Sequence, residues 1–235
     1  MITPRGFAAS ADFLPAGDWT SGRAAAILPP AREMTMMENL QLEAAPSLRR
    51  RLAAAFARLI GWRVDTPAAL PARCVIIGAP HTTSMDLWLA LLMIEVGGHR
   101  FQWVMKDTLF RGPLGPFFRA LGGVPVNRRA RTNFVDGVVE IFDREPVFRL
   151  AIVPEGTRQK ADGWKTGFYY IAVRAQVPFV FGYVDFPRKT VGLGPTFFPT
   201  GDIEADFDVI RAFYRDKQGK YPDQQGEIRI RPAQE

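Results

Sequence analysis

The chain has 235 residues, 47% of them hydrophobic, which suits one sizeable folded α/β domain and argues against wholesale disorder. Its formal net charge of +6 points to anionic partners: phosphate-bearing substrates, acidic lipid surfaces or nucleic acid. The single cysteine, Cys74, excludes an intramolecular disulfide and a cysteine-based zinc site.

Residues 1–46 are read as a poorly ordered extension, rich in Ala, Pro, Gly and Arg over 1–38, with methionines at 34, 36 and 37 that leave a later start open. No secretory pattern is read in residues 1–33, and no run of about 18 apolar residues suggests a transmembrane helix. Residues 47–63 form a basic amphipathic helix with its exit: Leu48, Leu52, Phe56, Leu59 and Ile60 share one face, Ser47 caps the start and Gly61 stops it. With Arg49, Arg50, Arg51 and Trp62 it resembles a helix lying at a membrane surface; the alternative is a surface helix packed on the domain.

Residues 64–235 are read as one domain. Residues 64–70 are a turn region, followed by a strand at 73–78, a polar turn, and an apolar helix at about 84–96. Strands are expected at 101–105, within 122–129 where a short one ends in a basic pair, at 149–153 and at 177–184. Helices are expected at 107–110, 116–121, 132–144, 167–175 and 202–219, and 227–231 is compatible with a late strand. This alternation predicts an α/β fold, a single domain with a largely parallel central sheet flanked by helices. Cys74 falls inside an apolar strand and is read as a core residue.

The chemistry gathers at strand ends, where ligands of α/β sheets bind. His81 follows the first strand and Asp86 lies five residues on. A carboxylate that accepts from one imidazole nitrogen leaves the other free as a base. The alternative is a helix-capping histidine with a solvated aspartate. Of the two histidines, His99 follows Gly97-Gly98 in an expected surface turn. A second strand-end turn carries Glu155, Gly156, Thr157 and Arg158, and a third ends in Arg128-Arg129. Arginine forks suit phosphate, although each arginine alone reads better as a solvated side chain, with Glu155 as a partner for one of them. Together, one base and two arginine sites describe a hydroxyl acceptor held by its phosphate, whose oxygen attacks an activated acyl carbon.

His81-Thr82-Thr83-Ser84-Met85-Asp86 matches H-x4-D, and Glu155-Gly156-Thr157-Arg158 matches E-G-T-R. With Lys106, Leu109, Pro113, Gly115, Gly122, Gly123 and Asn127-Arg128 between them, and Lys165, Gly167 and Val177-Pro178 after, the chain resembles the glycerolipid acyltransferases over about residues 70–185. The resemblance implies acyl transfer from acyl-CoA or acyl carrier protein to a lysophosphatidic-acid-like lysolipid. His81 would be the general base and Asp86 its orienter. Arg128 and Arg158 would hold phosphate, Glu155, Gly156 and Thr157 would shape the acceptor site, and Lys106 and Lys165 are further candidates. It implies no metal or redox cofactor, and a peripheral place on the cytoplasmic membrane face.

Asn127 stands where the family often has an acidic residue, and Phe181 near the place of a second proline. These departures bear on the acceptor, and a lyso-ornithine or lysophosphatidyl lipid is an alternative. No G-x-S-x-G elbow is present, and Ser84 is read as a cap rather than a nucleophile. The rival functions are an ester or thioester hydrolase with His81 activating water, and a non-catalytic lipid-binding protein. Nucleic-acid binding is disfavoured by scattered basic residues without interleaved aromatics.

Overall fold

A computed structural model describes residues 47–67, 69–120, 122–126 and 131–231. In chain order the elements are α1 (Leu48–Leu59), β1 (Arg63–Asp65), β2 (Arg73–Ala79), α2 (Met85–Gly97), β3 (Gln102–Lys106) and a 3-10 turn (Asp107–Phe110). Then come α3 (Gly115–Ala120), β4 (Gly123–Val126), α4 (Arg131–Arg144), β5 (Phe148–Ile152) and α5 (Gly167–Ala175). The chain continues with β6 (Phe179–Asp185), β7 (Thr190–Phe197), α6 (Ile203–Tyr214) and a 3-10 turn at Pro222–Gln224.

Among the described residues, seven strands form one sheet in the order β1-β7-β6-β2-β5-β3-β4. Every neighbouring pair is parallel except β6–β7. The fold is therefore α/β around a mostly parallel sheet, with β1 and β7 reversed at one edge. Strand β2 lies between β5 and β6, which explains its unbroken apolar run: a central parallel strand is covered on both faces.

Side chains of β2 divide by the two-residue period of a strand. Val75, Ile77 and Ala79 enter the larger core, with Phe142 of α4, Phe168 and Ile171 of α5, and Phe207, Ile210 and Tyr214 of α6. Cys74 and Ile76 face the other way, toward Leu89 and Met93 of α2 with Trp62 and Leu70. Helix α2 thus covers one face and α4, α5 and α6 the other. A buried tyrosine needs a partner for its hydroxyl. Tyr214 Oη finds it where β2 meets β6, 2.7 Å from the Ile77 carbonyl and 3.1 Å from that of Gly182.

Several boundaries differ from the expectations. Residues 63–65, placed largely in a turn, pair with Thr190–Gly192 as edge strand β1; three residues with one apolar side chain carry almost no periodic signal. Strand β7 was not expected at all, because Gly192, Gly194 and Pro195 interrupt the pattern over Thr190–Phe197. Helix α6 stops at Tyr214 rather than 219, and 227–231 forms no strand but a single bridge between Ile230 and Trp164. Helix α1 follows its pattern, and the Ser47 hydroxyl accepts from the Arg50 amide. The expected disorder of 1–46 lies outside the described residues.

Tyr214→Phe removes the hydroxyl that joins α6 to two strands. It is expected to lower stability by about 1–3 kcal/mol, read as a lower urea midpoint with an unchanged slope.

Candidate active site

Strand β2 ends at Ala79 and α2 begins at Met85, so residues 80–84 form a tight polar turn. Asp86, in the first turn of α2, folds back over it. Its Oδ2 accepts the Thr82 and Thr83 amides, each at 3.0 Å, and lies 3.0 Å from His81 Nδ1. An oxygen that already accepts from two amides serves the ring as an acceptor too, so Nδ1 carries the proton and Nε2 keeps its lone pair. The aspartate is buried while the imidazole remains partly open. Against the capping-histidine alternative, the aspartate is not solvated, and its carboxylate is bonded to the amides of the turn and to the imidazole.

Ser84 departs from its expected role. It sits at the N-cap position, yet its hydroxyl makes no capping bond and instead accepts from Arg158 at 2.7 Å. Thr83 Oγ1 accepts the Met85 amide at 3.3 Å.

Strand β5 runs parallel to β2 as its neighbour, so the turns that follow the two strands lie side by side. Glu155 Oε1 accepts the His81 amide at 2.9 Å. The side chain is 2% exposed, and its Oε2 is buried without a hydrogen-bond partner among the described residues. Desolvation pushes the Glu155 carboxyl up to about 7, against the lowering effect of the His81 amide. Glu155 therefore props the main chain behind His81 and is absent from the cavity lining. Gly156 adopts φ +66°, and a Cβ there would come 3.1 Å from Lys165 Nζ; the lysine lies across this turn. Thr157 and Arg158 reach the cavity. Lys106 closes β3, but its side chain is not described, and Arg128 lies outside the described residues.

The cavity measures about 590 Å³ and lies between α2 and the sheet. His81, Asp86 and Arg158 line it together with Leu87, Ala90, Leu91 and Ile94 of α2. Those four positions form one helical stripe, so the cavity follows α2 for about 10 Å from its Asp86 end. Opposite are Gly78 and Gly182, paired in register across β2 and β6, with Ala151 of β5. Small residues leave the space, and most of the rest of its lining is apolar. The sequence reading missed this wall. Its trace was the run Leu87–Val96, in which only Glu95 is charged, so that apolar residues are not confined to one face. His99 sits beyond the far end of α2, half-buried rather than in a surface turn, with Nε2 3.0 Å from the Pro67 carbonyl.

The Acyltransferase family model matches residues 62–181, just over half of the chain, and includes both motif turns. The chain belongs to the acyltransferase family. This is the glycerolipid acyltransferase family that its two motifs resemble. A human protein, 1-acyl-sn-glycerol-3-phosphate acyltransferase beta, is 32% identical over 114 residues. The alignment covers 46% of this chain and 39% of the human protein. No solved structure gives a significant match. The family match ends inside β6, leaving β7, α6 and the C-terminal segment beyond it.

The burial of Glu155 has a measurable sign. Well below the ordinary value of 4.5 the carboxyl is protonated in both folded and unfolded chains. As pH rises toward 7 the unfolded chain ionises first, so this group's contribution to stability is lost across that window, by about 3 kcal/mol in all. Glu155→Gln removes the loss. Urea unfolding at about pH 5 and about pH 8 is expected to show the variant gaining on the parent at the higher pH.

Proposed function

We propose that this acyltransferase moves a fatty acyl group from acyl-CoA or acyl carrier protein to the hydroxyl of a lysophosphatidic-acid-like lysolipid. One observation carries the reading: His81 and Arg158 open onto the same apolar cavity. The acceptor hydroxyl gives its proton to His81 Nε2 as its oxygen attacks the thioester carbonyl. The tetrahedral intermediate then collapses, the C–S bond breaks, and the leaving thiolate takes the proton from the imidazolium. Ester and free thiol are the products. Asp86 fixes the tautomer and supports the transient positive charge. Arg158, joined on motif grounds by Arg128, grips the acceptor phosphate, and the cavity beside α2 takes an acyl chain. A thioester is already activated, so the reaction as proposed uses no metal or redox group.

Two features favour transfer by a general base over the rivals. Ser84 Oγ, the hydroxyl nearest His81 in sequence among the described serines, accepts from Arg158 rather than from the imidazole. Arg158, beside the His81 turn, has a task in binding an anionic acceptor and none in simple hydrolysis.

In a panel of lysolipids with acyl-CoA and acyl carrier protein donors, the parent is expected to form a diacyl product. His81→Ala should reduce kcat by about 10²–10⁴-fold, and Arg158→Ala should act mainly by raising the acceptor KM. Thioester loss without diacyl product would instead establish a hydrolase.

The same proposal places the protein peripherally on the cytoplasmic membrane face. Among the described residues no helix is long and apolar enough to cross a membrane. Helix α1 packs on α2 through its other side, where Arg50 donates to the Val96 and Gly97 carbonyls and Ala57 is buried. Its apolar stripe is left uncovered: Leu48 is 72% and Leu59 83% exposed, with Leu52 and Phe56 between them. Arg51 and Arg58 are exposed on the same helix, which suits an anionic lipid surface. Leu52→Glu with Phe56→Glu is expected to weaken sedimentation with vesicles of anionic phospholipid by at least about tenfold. Unchanged binding would overturn this placement.

A further inference from the structure

We infer that Gln224 is a positioning residue that clasps the Arg158 turn to the His81 turn. Two main-chain carbonyls face its side-chain amide. With the amide nitrogen turned toward them, it donates to Arg158 O at 2.8 Å and to Thr82 O at 3.1 Å. Two acceptors leave room only for the NH2 end, which has two hydrogens to give.

The rest of the segment is built to hold that side chain in place. The Tyr221 amide donates to Thr82 Oγ1 at 3.2 Å. Gly219 packs so closely on Thr82 that a Cβ would fall 2.6 Å from its hydroxyl, so a side chain there would push the segment off the turn. Gln225 closes the loop on itself, its Oε1 accepting the Gly219 amide and its Nε2 donating to the Lys217 carbonyl, both at 3.1 Å. Further on, the Trp164 amide donates to the Arg229 carbonyl at 2.8 Å, tying the segment to the chain just after the Arg158 turn.

Thr82 is the link to the chemistry. It is 2% exposed, it follows His81, and its own amide is one of the donors on Asp86. The clasp therefore fixes the separation between the two turns that carry the base and the guanidinium. It lies beyond residue 181, where the family match ends. The inference rests on the acyl-transfer reading, in which Arg158 holds the acceptor. Errors of about 1 Å between a base and a substrate-holding group are enough to cost about 10²-fold in rate.

The test uses the full chain with Gln224→Met, which removes the donors, and Gln224→Glu, which sets a carboxylate against the two carbonyls. With lysophosphatidic acid and an acyl-CoA, the acceptor KM is expected to rise about tenfold in the Met variant and further in the Glu variant. The donor KM should stay within about twofold. As pH falls through the ordinary glutamate value of about 4.3 the Glu side chain regains one O–H donor, so its deficit relative to the parent at the same pH should shrink while that of the Met variant does not. A merely structural role would move both KM values together with thermal stability and show no such recovery, and that result would overturn the clasp.

Hydrogen exchange on the same variants needs no turnover. It should quicken in the turns at 81–84 and 155–159, and unchanged exchange in both would also overturn the clasp. If either variant fails to fold, the other carries the test. A parent that acylates no lysolipid would overturn the acyl-transfer reading, while the exchange result still decides the clasp.

Discussion

One carboxylate oxygen organises the site. Asp86 Oδ2 collects two main-chain amides and the His81 imidazole, so a single atom sets the path of the turn, the start of α2 and the tautomer of the base. Charge-assisted hydrogen bonds of this kind are stronger and shorter than neutral ones. The arrangement has a cost, since Asp86 Oδ1 is buried with no hydrogen-bond partner among the described residues. A group of this sort persists where the surrounding fold over-determines it, and here the turn is pinned from behind as well. Glu155 holds the His81 amide, giving two carboxylates opposite tasks: one aims the ring, the other braces its backbone.

The sheet explains why these groups meet. Because β2 and β5 are parallel neighbours, motifs some seventy residues apart in the chain emerge at one edge. The same sheet supplies the floor of the cavity, where Gly78 and Gly182 stand side by side and Ala151 continues the low ground. Two glycines and an alanine on three neighbouring strands leave space on that face, and the apolar stripe of α2 roofs it. Polar chemistry and apolar volume are thus consecutive along one helix, with Asp86 in its first turn and Leu87 to Ile94 after it.

Much of this was legible in the sequence because it is local. The H-x4-D pair could be read since a helix start brings position 86 back over position 81, and the central strands could be read from runs such as Val75-Ile76-Ile77. Non-local features were not legible. Glu155 was read with the acceptor site because its motif neighbours are, yet its side chain turns inward to a main-chain amide that only the tertiary structure reveals. Ser84 looked like a cap because capping depends on near neighbours, whereas its actual partner is Arg158, 74 positions away. Strand β7 was lost to two glycines and a proline, tolerated because it lies beside the edge and is held between β1 and β6.

The grip of Arg50 on the last carbonyls of α2 has a mechanical consequence. Helix α2 is a rod of about 20 Å, with α1 fastened near one tip and Asp86 at the other. The two helices therefore form one connected piece, running from the exposed stripe of α1 to the carboxylate that aims the imidazole. On the proposed membrane placement, attachment through α1 would then bear on the orientation of the cavity mouth as well as on local concentration.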